Sequence, residues 1–346
     1  MIKIIKNRLD SEISKLYEQV NTVYGLNKIS PLLSKSIKEF ILRKGKRLRP
    51  ILFILGYKGF SKKTPPGLYS SSLAVELLHD FMLIHDDIID KSSLRRAKPS
   101  MHAKLDNYLN RYKKPKFNGS DLSLILGDVL YAIAIDSFLK INEDRARKEK
   151  ALKRLTESAI LTGTGEFLEL LAILQPISKI NENEILQIYD YKTADYSFST
   201  PLTCGAILAG AKSSEIKKLS DFGIFLGRAF QIKDDILSLF EKEKKMGKPS
   251  LSDIQEAKRT LLIIKAYQYS VKRDKQIIND IFAKDKTDEN DLRQIRRIIK
   301  GSGSLDYSQR KVAGLLEKSQ ELLSDLNINN KCKEALFGYS KEILEA

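Results

Sequence analysis

Helical periodicity along nearly the whole chain is the feature that most constrains its fold. Apolar residues recur every three or four positions, as in Leu73, Leu77, Phe81 and Ile84. The nine prolines fall between such runs, where helices should begin or end. Alternating strand patterns bounded by Asn-Gly or Asp-Gly turns are absent. We therefore expect an all-α fold, with about ten or more helices in a single bundle domain over residues 1–346.

The charge balance is strongly basic. Lysine and arginine total 60 against 44 acidic residues, which gives a net charge of +16. Such a surface attracts nucleic acid, anionic small molecules or acidic lipids. The chain has no tryptophan, and a nucleic-acid-binding function would leave its aspartate motifs unexplained. We therefore expect no nucleic-acid partner, but we keep a peripheral membrane contact open.

The same sequence indicates a cytoplasmic protein. No apolar run reaches the roughly 18 residues that a membrane span needs. The N-terminal residues Met1–Lys6 lack the pattern of a signal peptide. The two cysteines, Cys204 and Cys332, predict neither a disulfide framework nor a cysteine metal site.

A pair of aspartates follows one of the apolar runs. Asp86 and Asp90 are four residues apart and so share one face of a helix, with Asp87 on the adjacent face. Acidic groups at the end of a buried apolar face require a cation. Magnesium fits, because it takes one or two carboxylates and completes its octahedron with water and phosphate. A solvated helix end is the plain alternative, since this motif alone is weak.

Basic clusters accompany the aspartates. Arg95 and Arg96 follow them, and four cations surround a glycine in the segment 44–50. Guanidinium groups match phosphate oxygens, so such clusters favour anion binding. A second acidic pair, Asp234 and Asp235, also ends an apolar run, which suggests that the two helices form facing walls of one cavity. Carboxylates for a metal and cations for phosphate together predict a diphosphate site.

These segments resemble a known family, the trans-isoprenyl diphosphate synthases or polyprenyl synthetases, which include farnesyl and geranylgeranyl diphosphate synthases. The resemblance extends from about Lys44 to Thr260, with the motif-bearing core at about residues 40–265 and further helices at about 266–346. In chain order the similar segments are GKRLRP, LIHDDIID with RRAKPSMH, LILGDVLY, GEFLEL, YKTADYSFSTPL, GRAFQIKDD and GKPSLSDIQEAKRT.

The resemblance implies helices around a central substrate cavity, a homodimer, and Mg2+-dependent condensation of isopentenyl diphosphate with an allylic diphosphate. The residues implied to bind isopentenyl diphosphate are Lys46, Arg49, His79 and Arg96. Those implied to hold three Mg2+ ions are Asp86, Asp90 and Asp234, supported by Asp87 and Asp235. Those implied to contact the allylic diphosphate are Arg95, Lys192, Thr193, Gln231, Lys248 and Lys258. The residues implied to act in catalysis, on the leaving pyrophosphate, are Asp86, Asp87, Asp90, Arg95, Lys192 and Asp234.

The chain also departs from the family pattern. Ser238 stands where the second motif usually ends in aspartate, so we expect weaker outer support for the metal. Ala257 replaces a frequent glycine, a change we expect to be minor. The cation-rich segment at 110–119 is longer than we expect. Glu166 and Glu169 are expected to support the cavity and not to bind metal directly.

Two residues before the first motif are candidates for controlling product length. Phe81, five positions before Asp86, resembles the aromatic residue of archaeal geranylgeranyl synthases. Ideal helix angles place Met82 about 40° and Phe81 about 140° from Asp86, so Met82 is an equal candidate. We expect a geranylgeranyl (twenty-carbon) product, with farnesyl and longer products as alternatives. A non-catalytic subunit of a heteromeric synthase, or a terpene cyclase or head-to-head synthase, are the other functions that the residues leave open.

Overall fold

Helices account for nearly all the regular structure of this chain. The computed structural model describes residues 1–95, 98–240 and 251–345. Their helices are α1 Ile2–Tyr24, α2 Leu26–Ile29, α3 Pro31–Ile41, α4 Leu48–Phe60, α5 Leu68–Ile89, α6 Met101–Leu109, α7 Gly119–Phe138, α8 Arg145–Ile173, α9 Glu182–Tyr189, α10 Thr200–Leu208, α11 Ser213–Phe240, α12 Ser252–Gln255, α13 Leu261–Tyr269, α14 Lys272–Phe282, α15 Glu289–Gly301, α16 Ser304–Ser324 and α17 Asn330–Glu345. A 3₁₀ turn at Ile177–Lys179 and a π-helix at Asp190–Ser199 complete them. The prediction of an all-α fold with ten or more helices is confirmed.

Contacts within the chain define two compact units. Unit 1 comprises Met1–Leu155, Pro201–Lys212 and Ile328–Ala335. Unit 2 comprises Thr156–Thr200, Ser213–Asn327 and Leu336–Ala346. The assignment of the whole chain to one synthase domain stays a prediction.

Local sequence signals set several helix boundaries. Ser30 caps α3 by accepting a hydrogen bond from the backbone N–H of Leu33 (3.3 Å), and Pro31 occupies the first helical position. Asn118 and Asp121 form a capping box at the start of α7. These caps satisfy N–H groups that have no partner inside the helix.

Within unit 1, α5 packs against α7 and α4. Helices α4 and α10 approach until their backbones touch: a Cβ on Gly56 would lie 2.2 Å from the carbonyl oxygen of Leu202, and one on Gly205 would lie 2.1 Å from that of Phe53. The glycines are therefore required by the spacing of the two helices. The side chains of Phe53, Leu73 and Leu130 are fully buried in the core around α5.

A small antiparallel hairpin, which the sequence analysis did not predict, follows α5. β1 (Leu94–Arg95) pairs with β2 (Lys98–Pro99). Two-residue strands are too short to show an alternating pattern, so the sequence carried no strand signal. The chain turns into the hairpin at Lys91, whose φ of 53° is left-handed, and the N–H of Ser92 donates to the carbonyl of Asp87 (2.9 Å).

In unit 2, α11 packs against the π-helix and α16. A Cβ on Gly223 would lie 2.6 Å from the Cα of Ser199, and one on Gly227 would lie 2.4 Å from the Cα of Ala194. The two glycines thus bring α11 into backbone contact with the π-helix. A π-helix is rare and is often found at functional sites. Pro201 follows it in the first turn of α10, where a missing N–H is tolerated.

No helix of the described residues combines the length and apolar character that crossing a bilayer requires. The cytoplasmic location stays a prediction.

Candidate active site

The first aspartate motif lies at the C-terminal end of α5. Asp86 is in the last turn of the helix, and Asp90 follows its last residue, with its backbone N–H donating to the carbonyl of Asp86 (2.8 Å). Both side chains are half-buried, and one carboxylate oxygen of each lies within 4.8 Å of the other. Two oxygen donors at this separation, partly open to solvent, fit a hard cation such as Mg2+.

Arg95 faces two of these carboxylates from the hairpin. Its Nη2 is 2.7 Å from Oδ2 of Asp86, and its Nε donates to Oδ1 of Asp87 at 2.7 Å. Burial lowers the pKa of Arg95, but the hydrogen bond to Asp87 and the charges of both aspartates outweigh burial and raise it. The guanidinium is therefore a permanent cation beside the motif.

The two adjacent aspartates of the motif occupy different environments. Asp87 is fully buried, whereas the side chain of Asp86 is 21% exposed. The second motif repeats this division on α11, where Asp235 is buried and Asp234 is exposed. In each motif, therefore, the first aspartate can reach a ligand in solvent and the second is held by protein groups.

Asp235 is the centre of a hydrogen-bond network in unit 2. It accepts a very short hydrogen bond from the hydroxyl of Tyr189 and one of 2.9 Å from the side chain of Gln231. Gln231 in turn accepts from the hydroxyl of Thr193 (2.6 Å), and Tyr189 accepts from the backbone N–H of Leu261 (2.9 Å). The network connects the end of α9, the π-helix, α11 and the start of α13.

Burial controls the protonation of this network. It raises the pKa of Tyr189 well above its ordinary value, and the charge of Asp235 adds to the effect. Burial also raises the pKa of Asp235, against the hydrogen bonds from Tyr189 and Gln231. Tyr189 therefore stays protonated and acts as a hydrogen-bond donor.

Lys192 lies on the π-helix between two glutamates of α8. Its ammonium is 2.8 Å from Oε2 of Glu166 and forms a second, shorter contact with Glu169. Gly165 allows this arrangement, because a Cβ there would lie 2.7 Å from the backbone N of Lys192. Asp190, at the start of the π-helix, is held by Arg228 of α11 through two hydrogen bonds of 2.6 and 2.5 Å. Lys192 is thus positioned by α8, whose glutamates bind its ammonium group, and by α11, whose Arg228 holds the start of the π-helix.

The basic residues near α4 separate into exposed and buried ones. Lys46 is exposed, and Arg49 is half-buried in the first turn of α4. Arg47 is instead 4% exposed, with its guanidinium paired to Glu76 (3.0 Å) and Asp10 (2.9 Å). Arg47 is therefore a structural ion pair, which the sequence could not distinguish from its neighbours.

His79 lies on α5, seven residues before Asp86. This spacing places it on the same face of the helix, about 10 Å along the axis. Its side chain is 8% exposed. Arg96 and Lys248, which the resemblance also implicates, lie outside the described residues.

Ser238 contacts a carboxylate from the following segment. Its hydroxyl is 2.5 Å from Oδ2 of Asp253 and 2.9 Å from the carbonyl of Asp235. Lys258 lies on the other side of Asp253, with its ammonium 3.9 Å from Oδ1 and 2.8 Å from Oε2 of Glu256. An acidic side chain thus adjoins the position at which the second motif lacks its usual aspartate.

Phe81 points from α5 toward α7. Its ring centroid is 5.4 Å from that of Tyr131 and 4.6 Å from that of His85. Gly127 makes room for this group, because a Cβ there would lie 2.5 Å from Nε2 of His85. Met82 is half-buried on the neighbouring face of α5. A small apolar cavity lies one turn before Phe81, lined by Leu16, Tyr17, Val20, Ile37, Ile41, Leu77, Leu130 and Ile133.

Sequence reasoning missed two groups of this site. Tyr189 ends an ordinary amphipathic helix, and only its contact with Asp235 reveals its role. The contact of Asp253 with Ser238 was also missed, although Asp253 lies within the GKPSLSDIQEAKRT segment. The sequence did contain a signal for Asp253, because it is an acidic residue downstream of a motif that lacks its last aspartate.

The polyprenyl synthetase family model matches residues 30–299. The chain belongs to the polyprenyl synthetase family. It is 32% identical to a geranylgeranyl diphosphate synthase of Sulfolobus acidocaldarius, over 88% of this chain and 82% of that protein. It is 30% identical to a geranylfarnesyl diphosphate synthase of Aeropyrum pernix, over 84% of this chain and 87% of that protein.

The fold also matches a solved member of the family. A geranylgeranyl pyrophosphate synthase of Corynebacterium glutamicum superposes with a TM-score of 0.90, covering 100% of this chain and 99% of that one, at 24% identity. As a polyprenyl synthetase, the chain is a prenyltransferase that uses prenyl diphosphates. The family prediction made from the motifs is confirmed.

Proposed function

We propose that this polyprenyl synthetase condenses isopentenyl diphosphate with an allylic diphosphate and releases geranylgeranyl diphosphate. The observation that carries the proposal is the arrangement of Asp86, Asp90 and Arg95: two accessible carboxylates with a permanent cation beside them. Carboxylates for a metal and a guanidinium for phosphate are the groups that a diphosphate site requires.

We assign Mg2+ binding to Asp86 and Asp90 in unit 1 and to Asp234 in unit 2, with three ions expected from the family. Bound Mg2+ would neutralise charge on the diphosphate and favour its departure. Asp87 and Asp235 are buried and hydrogen-bonded, which supports a role in holding the neighbouring aspartate in place.

The cations of the chain act on the leaving group. As the allylic C–O bond breaks, negative charge grows on the departing pyrophosphate, and we propose that Arg95, Lys192, Lys248 and Lys258 meet it. Thr193 and Gln231 would position the same group through hydrogen bonds. We assign isopentenyl diphosphate to Lys46, Arg49, His79 and Arg96, which would orient its double bond toward the allylic carbon. The proton lost at the end would pass to pyrophosphate, so we nominate no protein base.

The product rests on the relatives and on Phe81. The Sulfolobus acidocaldarius relative is a geranylgeranyl diphosphate synthase. The aromatic ring of Phe81 packs between Tyr131 and His85, which supports a role in blocking growth of the prenyl product beyond twenty carbons. The Aeropyrum pernix relative favours a twenty-five-carbon product as a second candidate.

One assay tests the proposal. Purified protein is incubated with labelled isopentenyl diphosphate, each allylic primer and Mg2+, and the products are sized. We expect a twenty-carbon product that is lost on chelation of the metal, and a twenty-five-carbon product would select the second candidate. Failure to condense any primer would contradict the proposed function.

The metal assignment has its own test. Asp86→Ala should lower turnover by roughly two orders of magnitude or more, because it removes a ligand to the charge-neutralising ion. Asp136→Ala, at a surface ion pair with Lys140, is the matched control and should retain turnover. Turnover of Asp86→Ala within a few-fold of the wild type would show that the assignment is wrong.

We also propose a cytoplasmic homodimer. Ile125 and Ala132 of α7 and Leu139, which follows its last residue, recur every seven residues and are exposed, with Ile125 at 59%. An apolar stripe of this kind fits a second copy of the same helix. Light scattering should give twice the chain mass for the wild type and a monomer for Ile125→Glu. A monomeric wild type would refute the dimer.

A further inference from the structure

We propose that the loop of residues 110–118, the basic loop, binds the surface of an anionic lipid bilayer. The inference is independent of which prenyl diphosphate the protein makes. Every residue of the basic loop is exposed. It carries four cations, Arg111, Lys113, Lys114 and Lys116, and the sequence from Asn107 to Ser120 has no acidic residue.

The ends of the basic loop are fixed to the protein. Asp106, in the last turn of α6, accepts a hydrogen bond from the backbone N–H of Gly119 (2.6 Å), the first residue of α7. Asn118 is held by the capping box with Asp121. Residues 110–118 therefore form a loop that projects from the end of α6 and the start of α7. The entropy lost on binding is reduced because both ends of the loop are already ordered.

Two aromatic side chains project with the cations. Tyr112 is 53% exposed and Phe117 is 50% exposed. Tyr112 is oriented by Tyr108, whose hydroxyl lies 3.3 Å from its own, and the guanidinium of Arg111 lies 4.1 Å from the centre of the Tyr108 ring. An aromatic ring that stays exposed although ordered is costly in water and favourable at the headgroup level of a bilayer.

The combination of cations and aromatic rings favours a lipid surface. Clusters of four or more cations bind acidic headgroups, and stable anchoring requires a second, apolar signal. Tyr112 and Phe117 supply that signal. Lys114 lies between them with a left-handed φ of 51°, in a stretch where the chain bends. Single-stranded nucleic acid also stacks on aromatic rings, and it is therefore a competing outcome of the test.

Vesicle co-sedimentation of the full chain tests the proposal. The probes are vesicles of phosphatidylcholine alone and of phosphatidylcholine mixed with phosphatidylglycerol. We expect the wild type to bind the mixed vesicles and not the neutral ones, with binding lost at high salt. Replacing Arg111, Lys113, Lys114 and Lys116 with Gln should weaken binding by roughly a hundredfold, and Tyr112→Ser with Phe117→Ser should weaken it by roughly tenfold.

A matched variant separates the cluster from net charge. Lys62, Lys63, Lys212 and Lys318 are exposed and lie in three separate places along the chain, and their replacement with Gln removes the same number of positive charges. This control should bind the mixed vesicles within about threefold of the wild type. Equal loss in the control, equal binding to neutral vesicles, or tight binding of a single-stranded oligonucleotide with no vesicle binding would each overturn the proposal. Condensation assays on a short soluble primer verify that the loop variants are folded.

Discussion

At the residue scale, Ala257 carries backbone strain. Its φ of 51° lies in the left-handed region, which costs an alanine about 1–2 kcal/mol relative to the right-handed one. From the family pattern, we expected the replacement of the frequent glycine by Ala257 to have a minor effect. The structure gives that replacement an energetic cost, because the backbone keeps a conformation suited to glycine.

Ala257→Gly should therefore stabilise the protein. The relief of strain exceeds the entropy that glycine adds to the unfolded chain, and we expect the free energy of unfolding to rise by about 0.5–1 kcal/mol. Chemical denaturation measures the change. Ala313→Gly, at an exposed position within α16, is the control and should lower stability by about 1 kcal/mol. A loss of stability in Ala257→Gly would contradict the strain.

A second residue-scale prediction concerns Ser238. We predict that its hydrogen bond positions Asp253 as the acidic group that the second motif lacks. Ser238→Ala should raise the Mg2+ concentration for half-maximal activity by roughly tenfold, as expected for the loss of a hydrogen bond to a charged group. Ser238→Ala should also reduce the rise in melting temperature that Mg2+ and pyrophosphate together produce in the wild type.

The control for Ser238 lies on the same helix. Ser220 of α11 exchanges a hydrogen bond with Ser199 (2.9 Å), and Ser220→Ala should leave the Mg2+ dependence unchanged. If Ser238→Ala and Ser220→Ala gave the same Mg2+ titration, Asp253 would not act on the metal through Ser238.

At the element scale, one carboxylate joins α9 to two later helices. Glu182 accepts hydrogen bonds from Lys265 of α13 (2.8 Å), Lys311 of α16 (2.7 Å) and Tyr307 of α16 (2.5 Å). Burial raises the pKa of Glu182, but these three donors outweigh burial and lower it to about 2. The carboxylate is thus ionised and well paired near neutral pH.

This pairing predicts a pH dependence of stability. A carboxyl group whose pKa is lowered by folding stabilises the protein above its unfolded value near 4.5, and the stabilisation disappears as the pH falls toward about 2. Glu182→Gln should lower the free energy of unfolding at pH 7 by about 1–2 kcal/mol, allowing for solvent screening. The difference from the wild type should shrink between pH 4.5 and 2.

Denaturation at pH 7 and pH 3 provides the measurement. Glu334→Gln, at an exposed position of α17, is the control and should have no effect larger than about 0.5 kcal/mol. A destabilisation of Glu182→Gln that stays constant across this pH range would assign its effect to packing and not to charge.

The elements show how far the sequence could predict the structure. Helical periodicity is visible in each segment, so the all-α fold follows from it. The hairpin that holds Arg95 was missed because two-residue strands have no pattern. The π-helix was missed because its extra residue per turn leaves no mark on apolar spacing. Arg47 and Tyr189 owe their roles to partners far along the chain, which local sequence does not encode.

At the scale of the whole molecule, we predict that the packing between α5 and α7 sets the length of the prenyl product. Phe81→Ala should lengthen the product by one or more five-carbon units, because it removes the ring that packs against Tyr131 and leaves space between α5 and α7. The sizes of the labelled products give the result. Met82→Ala is the comparison: a longer product from that variant, with none from Phe81→Ala, would move the floor to Met82.

The π-helix has a further consequence for this chain. Its turns hold about one residue more than α-helical turns, so the residues after it are rotated relative to those before it. One residue corresponds to about 100° around a helix. Removing a single residue from Asp190–Ser199 would therefore rotate Lys192 relative to Pro201 by about 100°. The sequences of the neighbouring helices would be unchanged. We therefore expect the deletion of one residue here to separate Lys192 from its glutamates, although the hydrophobic pattern of the sequence would look intact.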